Sequence, residues 1–238
     1  MKNIKHIIIL AIVALTGNKS FAQQDPMVSQ YMFNQLFLNP AYAGCHPYTQ
    51  AMLLYRQQWV GFVGSPTTEL LSIDGSLKNK NMGLGFTLLN DHIGVSTRTS
   101  FSGSYSYHLK LSDKQTLALG LNAGASYYSA TLQDLTVWDQ GDNVFVANVQ
   151  SKLIPNFGTG AYFFADNYYA GISIPNILSY KPNTFLYIEL NNTPEFQRHY
   201  YLTGGYIYKI SESLSLKPSV LLKYTKGAPA EADFNLNA

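Results

Sequence analysis

The stretch VSTRTSFSGSYSYHL, residues 95–109, decides the fold because its two sets of alternate residues differ in chemistry. One set is mostly apolar or aromatic and includes Phe101 and Tyr105, whereas the other set is mostly serine. A β-strand directs successive side chains to opposite faces, so the stretch predicts one strand between two different environments. At about 3.4 Å per residue the strand spans roughly 50 Å, which is longer than a usual globular strand.

Composition favours a membrane barrel over a soluble sandwich. The outer face of a soluble sandwich carries charged residues at roughly a quarter to a third of its positions. This chain is only 13% charged and is 14% aromatic, with 18 tyrosines. A wet, serine-rich face opposite an apolar face is typical of a transmembrane β-barrel. We therefore predict an all-β, antiparallel, up-and-down transmembrane barrel of the outer-membrane type, with a soluble β-protein as the alternative.

Alternating segments and turn residues recur along the chain from residue 51 onward. The predicted strands are 51–59, 67–77, 82–89, 95–109, 116–132, 153–165, 168–174, 199–210, 214–225 and an incomplete tenth at 232–238. The odd-numbered connections include both very long ones, 133–152 and 175–198, while the even-numbered ones are all short. Outer-membrane barrels have short periplasmic turns and longer extracellular loops, so this sorting supports the barrel. Because a barrel in lipid cannot leave an edge open, we expect further strands beyond residue 238.

The first 22 residues predict a secretory signal peptide. Lys2 and Lys5 precede an apolar run at 7–15, and Ser20-Phe21-Ala22 is a small-x-small cleavage site. The predicted layout is a signal peptide at 1–22, an N-terminal periplasmic or plug segment at 23–49, and a barrel at 50–238. Without the signal peptide, 13 basic residues oppose 14 acidic ones, so the charge gives no indication of a nucleic-acid partner.

Residues 24–44 do not alternate, and they contain signals for a short helix. Ser29 is a candidate N-cap, the helix would carry Tyr31, Met32, Gln35 and Leu36, and Asn39-Pro40 would end it. Such a piece before the first strand would lie across the periplasmic mouth of the barrel or plug it.

The sequence contains no recognisable arrangement of catalytic residues, so we expect no enzyme activity, cofactor or metal. Cys45, the only cysteine, precedes His46, but adjacency in sequence does not make a catalytic pair. Asp134, Asp139 and Asp142 could hold calcium, although a solvated acidic loop explains them better because no complete EF-hand spacing is present.

Several charged or ionisable residues fall on the predicted inner face of the barrel. They are Arg56, Asp74, Arg98, His108, Lys217 and Lys223. These side chains would line a pore or hold a plug through ion pairs, with Asp74 as the acidic partner. The simpler interpretation is that they only keep the interior wet.

The segment around the predicted helix carries a family resemblance. Its landmarks are Gln24-Asp25-Pro26, Ser29-Gln30-Tyr31-Met32, Asn34, Asn39-Pro40-Ala41-Tyr42-Ala43-Gly44 and Tyr55-Arg56-Gln57-Gln58-Trp59. They resemble the start of mature PorP/SprF-type proteins of the type IX secretion system. The resemblance implies an integral barrel in the outer membrane of a Gram-negative bacterium, with the signal peptide removed near Ala22.

The same resemblance implies a function and a set of partners. Family members help particular cargo proteins, such as the adhesins of gliding motility, to leave the cell or to stay attached to its surface. The implied partners are outer-membrane lipid, periplasmic components of the type IX machinery, and cargo with a C-terminal sorting domain. A porin for a small solute is the alternative.

Position along the chain suggests which residues form the partner or plug element. The candidates before the first strand are Tyr31, Asn34, Asn39, Pro40, Tyr42 and Gly44. Arg56 and Gln57 follow on the first predicted strand, and Trp59 would anchor that strand near the outer interface.

Overall fold

A computed structural model describes residues 31–77, 81–131, 149–178, 198–211, 214–226 and 228–238. It contains one antiparallel sheet of 11 strands. The strands are β1 (Gln50–Gln57), β2 (Thr67–Ser76), β3 (Met82–Ile93), β4 (Ser96–Lys110), β5 (Gln115–Ala130), β6 (Val149–Ala165), β7 (Tyr168–Ile174), β8 (His199–Tyr206), β9 (Tyr208–Lys209), β10 (Ser215–Thr225) and β11 (Glu231–Asn237).

Strands that follow one another along the chain pair with one another, in the order β1-β2-β3-β4-β5-β6-β7-β8-β10-β11, and the short β9 pairs with β10. This is the predicted up-and-down meander, so the all-β antiparallel class is confirmed. β1 and β11 are the two ends of the path, and the sheet is not closed across the described residues. We call the edge with the connections β2–β3, β4–β5, β6–β7 and β9–β10 the short-turn end, and the opposite edge the long-loop end.

Burial along β4 shows which face meets which surroundings. Ser104, Ser106 and His108 are buried, whereas Phe101 and Tyr105, which alternate with them, are 46% and 41% exposed. A soluble sheet would bury its apolar face and expose its serines. The distribution of polar and apolar side chains is therefore the reverse of that in a soluble fold, as expected of strands with lipid on their outer face.

Exposed apolar side chains recur on the outer face of most strands and form a belt there. Cross-strand partners in the middle of this belt are Gly75, Leu84, Tyr105, Leu121 and Thr159. On β4 the belt extends from Phe101 to Leu109, which is roughly 27 Å along the strand, or about 20 Å once a barrel tilt is allowed for. Toward the long-loop end the outward-facing residues of β2 to β5 become polar. They are the cross-strand partners Thr67, His92, Thr97 and Ser129.

The predicted end of the third strand is wrong for an identifiable reason. β3 does not end at residue 89 but continues to Ile93, because Asp91 accepts a hydrogen bond from Thr68 and Asn90 pairs with Glu69 across the strands. These cross-strand bonds override the poor strand propensity of Asn and Asp. The third connection is consequently a two-residue turn at the long-loop end, so the predicted sorting of connections by length fails there.

The predicted strand 199–210 is interrupted at Ile207. The backbone N–H of Ile207 still donates to Asn167 O, at 2.6 Å, in the turn that leads into β7, so the interruption is on the β10 side. The registers of β8 and β9 with β10 place Lys217 opposite Ile207 and Pro218 opposite the adjacent Tyr206, and proline has no N–H to donate beside this break. At the other end of the sheet, β1 stops at Gln57 rather than at Trp59.

The chain before β1 forms two short helical pieces on the inner face of the sheet. They are α1 (Gln35–Leu38) and a 3-10 helix (Pro40–Tyr42). Asn34 is the N-cap of α1, whereas the predicted cap, Ser29, lies outside the described residues. Asn39 ends α1 as predicted. Among the described residues, no helix is long and apolar enough to cross a membrane.

Candidate functional site: a segment across the barrel interior

Residues 31–48, which we call the inner segment, lie against the inner face of the sheet. At one extreme, Tyr31 packs with Tyr201 of β8 and Leu221 of β10. At the other, the backbone N–H of Gly44 donates to Asp74 of β2, at 3.0 Å. Because one short segment touches strands from β2 to β10, the sheet must curve around it. The inner segment therefore occupies the interior that an open pore would need.

Five small residues, which we call the cradle, form the surface on which the segment rests. They are direct cross-strand neighbours, one on each strand from β3 to β7: Gly83, Ser106, Gly120, Gly160 and Ser173. The segment runs along this row and approaches each of the five strands, with its main chain at four of them and with the Asn39 side chain at Gly160. Small side chains are required there because the backbone of the segment approaches the backbone of the sheet.

The contacts along the cradle follow the order of the segment. Ser173 donates to Leu38 O at 2.6 Å, and Ser106 donates to Ala43 O at 2.5 Å. Between them, a methyl group added to Gly120 would lie 2.1 Å from Ala41 N. At the end of the row, beyond Ser106, a methyl group added to Gly83 would lie 2.0 Å from Ala43 O. The cradle is thus shaped to the main chain of residues 38–44.

Asn39 connects the segment to two strands at once. Its side-chain amide donates to Ala161 O of β6 at 3.0 Å and to Ile172 O of β7 at 3.4 Å. Its side-chain oxygen accepts from Ala41 N at 3.0 Å, which caps the 3-10 helix. The fully buried Pro40 follows at the first helical position, where its missing N–H costs nothing. Asn39 therefore determines both the local turn and the place of the segment in the interior.

Gly44 ends the crossing in a conformation that favours glycine. Its φ is +67°, and a Cβ there would lie 2.6 Å from the Cα of Gly83. The Asp74 carboxylate accepts its N–H, so this acidic residue holds the segment through a hydrogen bond and not through the predicted ion pair. His108 likewise approaches Ala43 O, with 3.1 Å from Nε2 to the oxygen.

From Tyr42 to Tyr48, aromatic rings lead from the interior to the surface at the short-turn end. Tyr42 meets Tyr162 edge to face, with 5.4 Å between ring centroids, and its hydroxyl lies 2.5 Å from His46 Nε2. His46 stacks on the exposed Tyr48. Burial raises the pKa of Tyr42 and lowers the pKa of His46, which favours a hydrogen bond between a neutral phenol and a neutral imidazole.

The comparison with protein families is decisive for this chain. A family model described as type IX secretion system membrane protein PorP/SprF matches residues 20–238, nearly the whole sequence. The chain belongs to the PorP/SprF family. A search among curated proteins found no match.

In this PorP/SprF protein, the predicted site residues fall into two groups. Tyr31, Asn34, Asn39, Pro40, Tyr42 and Gly44 all lie in the inner segment, where Tyr31, Asn34 and Asn39 are at most 3% exposed. Such buried side chains suit a plug better than a docking surface.

The second group lies at the long-loop end, away from the cradle. Arg56 is half-buried on the inward side of β1, and Gln57 is exposed. Trp59 is 70% exposed and lies in the β1–β2 connection rather than on the strand, with φ at +51°. The structure does not bring these three residues together with the inner segment.

The other charged residues predicted for the inner face have local partners. Lys223 bonds to Asp233 at 2.8 Å and to Glu231 at 3.5 Å on β11, and Lys217 lies over the ring of Tyr169. Arg98 lines a cavity of mixed polar and apolar character between the wall and α1. The acidic residues proposed for calcium lie outside the described residues. No cluster of metal-binding side chains occurs in the parts of the chain that the structure describes.

Cys45 gives a test of how tightly the inner segment packs. Burial, and then the nearby Asp74 carboxylate, raise the pKa of the Cys45 thiol above its ordinary value. Since the thiolate is the reactive form, we expect slow alkylation by iodoacetamide at pH 7 to 9 in the purified protein. The denatured protein should react at the rate of a free thiol, and equal rates before and after denaturation would contradict the packing described here.

Proposed function

We propose that this PorP/SprF protein is an outer-membrane barrel that supports secretion or surface attachment of specific cargo by the type IX system, with its own interior closed by the inner segment. Membership of the family supports a membrane role in that system. On β4 the serines are buried and the aromatic side chains are exposed, which supports a sheet whose outer face meets lipid. The proposal assigns the chain no catalytic role and no cofactor.

The observation that carries the proposal is the crossing of the interior by residues 38–44. A porin needs an open, wet passage along its axis. Here the cradle and Asp74 hold a main chain across that passage. A secretion-family protein whose interior is occupied by its own main chain is better suited to an accessory that binds cargo and machinery than to solute uptake.

The test of the proposal is deletion of the gene followed by quantitative proteomics of the cell surface and the culture medium. We expect one or a few large proteins with C-terminal sorting domains to be lost or misplaced. An unchanged surface together with a growth defect on one nutrient would instead support a porin. In planar bilayers the purified protein should give no sustained conductance, and a stable open channel would contradict the closed interior.

Replacing Asn39-Pro40 by Ala-Ala should lower cargo display while the amount of barrel in the membrane stays the same. The change removes both amide bonds to β6 and β7 and the cap of the 3-10 helix, each hydrogen bond contributing about 0.5–1.5 kcal/mol. Surface proteomics and membrane immunoblots measure the two quantities.

The exposed Pro47 of the same segment provides the matched control, since Pro47→Ala breaks none of these contacts. Normal display in the double variant would mean that the position of the segment is irrelevant to cargo handling.

A further inference from the structure

We propose that the connection between β1 and β2, residues 58–66, docks the cargo outside the cell by binding an uncharged, apolar surface on it. We call these residues the docking loop. The inference rests on the proposed function, which supplies the partner, and it assigns that partner a contact surface on the barrel. It is carried by the side chains of the loop, by its backbone and by its height above the lipid belt.

The docking loop exposes four large apolar side chains within five residues. Trp59 is 70% exposed, Val60 and Phe62 are each 74% exposed, and Val63 is fully exposed. A tryptophan or phenylalanine side chain covers about 150–250 Å² when it is buried, so the four side chains together present a few hundred Å² of apolar surface. Apolar patches of that size on a protein surface mark interaction sites.

Main-chain hydrogen bonds hold the loop in one shape. Gln58 N–H donates to Pro66 O at 2.9 Å and closes the base of the loop. Within the loop, Phe62 N–H donates to Trp59 O at 3.1 Å, and Ser65 N–H donates to Phe62 O at 3.3 Å. A loop that is already folded loses less conformational entropy when it binds a partner, so this arrangement favours docking.

The backbone of Trp59 has a conformation that bulky residues rarely adopt. Its φ is +51°, and among the described residues it is the only non-glycine residue with a positive φ. Such outliers carry strain and cluster at sites that bind ligands or partners. Because its side chain is 70% exposed, burial within the barrel does not account for a tryptophan at this position.

Two polar rows separate the docking loop from the lipid belt. The belt ends at the cross-strand row of Leu53, Leu71, Leu88 and Phe101. The next two rows are Tyr55, Glu69, Asn90 and Thr99, and then Gln57, Thr67, His92 and Thr97. Asn90 hydrogen-bonds across the strands to both Glu69 and Thr99. Rows of polar side chains with a tyrosine are typical of the interface between membrane and water.

The rise over these rows exceeds the thickness of that interface. Gln57 lies four residues beyond Leu53, which is roughly 14 Å along the strand, or about 10 Å once a barrel tilt is allowed for. The headgroups add only about 5–7 Å on each side of the hydrocarbon. Gly94 N–H donates to Gly64 O at 3.0 Å, which holds the loop level with the β3–β4 turn instead of folded back toward the lipid. The exposed side chains of the loop therefore lie above the membrane.

Position and charge together indicate the partner. The long-loop end of an outer-membrane barrel faces the outside of the cell, so periplasmic machinery does not reach it. Of the partners in the proposed function, the cargo is the one that passes this surface. The sequence has no Asp, Glu, Lys or Arg at positions 57–68, so the surface that complements the loop is uncharged and apolar.

Phe62→Ser with Val63→Ser removes much of the apolar surface and leaves the main-chain hydrogen bonds of the loop in place. We expect the amount of cargo on the cell surface to fall roughly tenfold or more, as when buried anchor side chains of an interface are truncated. The amount of barrel in the membrane should stay the same. Surface proteomics and membrane immunoblots measure the two quantities.

Leu111→Ser with Ile210→Ser is the matched control. It removes two apolar side chains that are 57% and 50% exposed at the short-turn end, and it should leave display normal. Equal losses in the two variants would overturn the docking loop. Normal display from the Phe62, Val63 variant, in a species where gene deletion abolishes display, would overturn it as well and leave the proposed function intact.

Photo-cross-linking from position 62 of the full chain in living cells identifies what the loop touches. With p-benzoylphenylalanine in place of Phe62, an adduct with a protein that has a C-terminal sorting domain would support the docking loop. An adduct with phospholipid or with a second copy of this chain, or the absence of any adduct, would overturn it. If the sorting-domain adduct forms although gene deletion leaves the cell surface unchanged, the loop binds as proposed and only the proposed function has failed.

Discussion

Gly120→Ala should push the inner segment out of its cradle. The added methyl group would lie 2.1 Å from Ala41 N, 2.4 Å from Ala41 Cα and 2.5 Å from Pro40 C, all main-chain atoms that cannot rotate away. Overpacking of this kind costs about 1–3 kcal/mol even where side chains can adjust, and here the clash is with backbone. Limited chymotrypsin digestion should cut at Tyr31 and Tyr42 much faster in the variant than in the parent protein.

Gly103→Ala is the matched control on the neighbouring strand. A Cβ at Gly103 meets nothing within 4 Å, because this glycine faces outward in the lipid belt. The change should leave digestion unchanged and, by restricting the unfolded chain, add about 0.4–1 kcal/mol of stability. If both variants resist the protease equally, the cradle does not depend on the absence of a side chain at position 120.

The sheet could be predicted from the sequence because its main determinant is local. Alternation along 95–109 depends only on the period of a strand, and burial of Ser106 with exposure of Tyr105 confirms the predicted faces. The boundaries that failed depend on partners. Asp91 is a poor strand residue until Thr68 lies opposite it, and the break at Ile207 lies next to Tyr206, which the register pairs with Pro218 of another strand.

The cradle could not be predicted, because it exists only after five strands are paired in register. Gly83, Gly120 and Gly160 lie far apart in sequence, and each one alone suggests only a weak point in a strand. The resemblance identified the segment that contains Asn39 and Gly44, but not what these residues touch. Asp74 was predicted as an ion-pair partner, but it accepts a hydrogen bond from the backbone N–H of Gly44. Every residue except proline has a backbone N–H, so the sequence does not indicate which one Asp74 binds.

Leu121→Arg should greatly reduce the amount of folded barrel in the membrane. Leu121 is 63% exposed and lies in the middle row of the outer belt, between Tyr105 on β4 and Thr159 on β6. An arginine at the midplane of a barrel costs about 2–4 kcal/mol on the lipid face, which is a large part of the stability of a typical domain. Urea titration in phospholipid vesicles measures this loss directly.

Ser129→Arg on the same strand separates lipid exposure from a general effect of charge. Ser129 faces outward like Leu121, but it belongs to the polar row at the long-loop end with Thr97 and His92. Eight residues along the strand is roughly 27 Å, so its side chain lies near the interface, where an arginine costs only about 0–1 kcal/mol. Equal losses in the two variants would contradict a lipid belt centred on Leu121. A large difference would show that the exposed apolar face of β5 is the face that meets the membrane, because a soluble sheet would tolerate both changes alike.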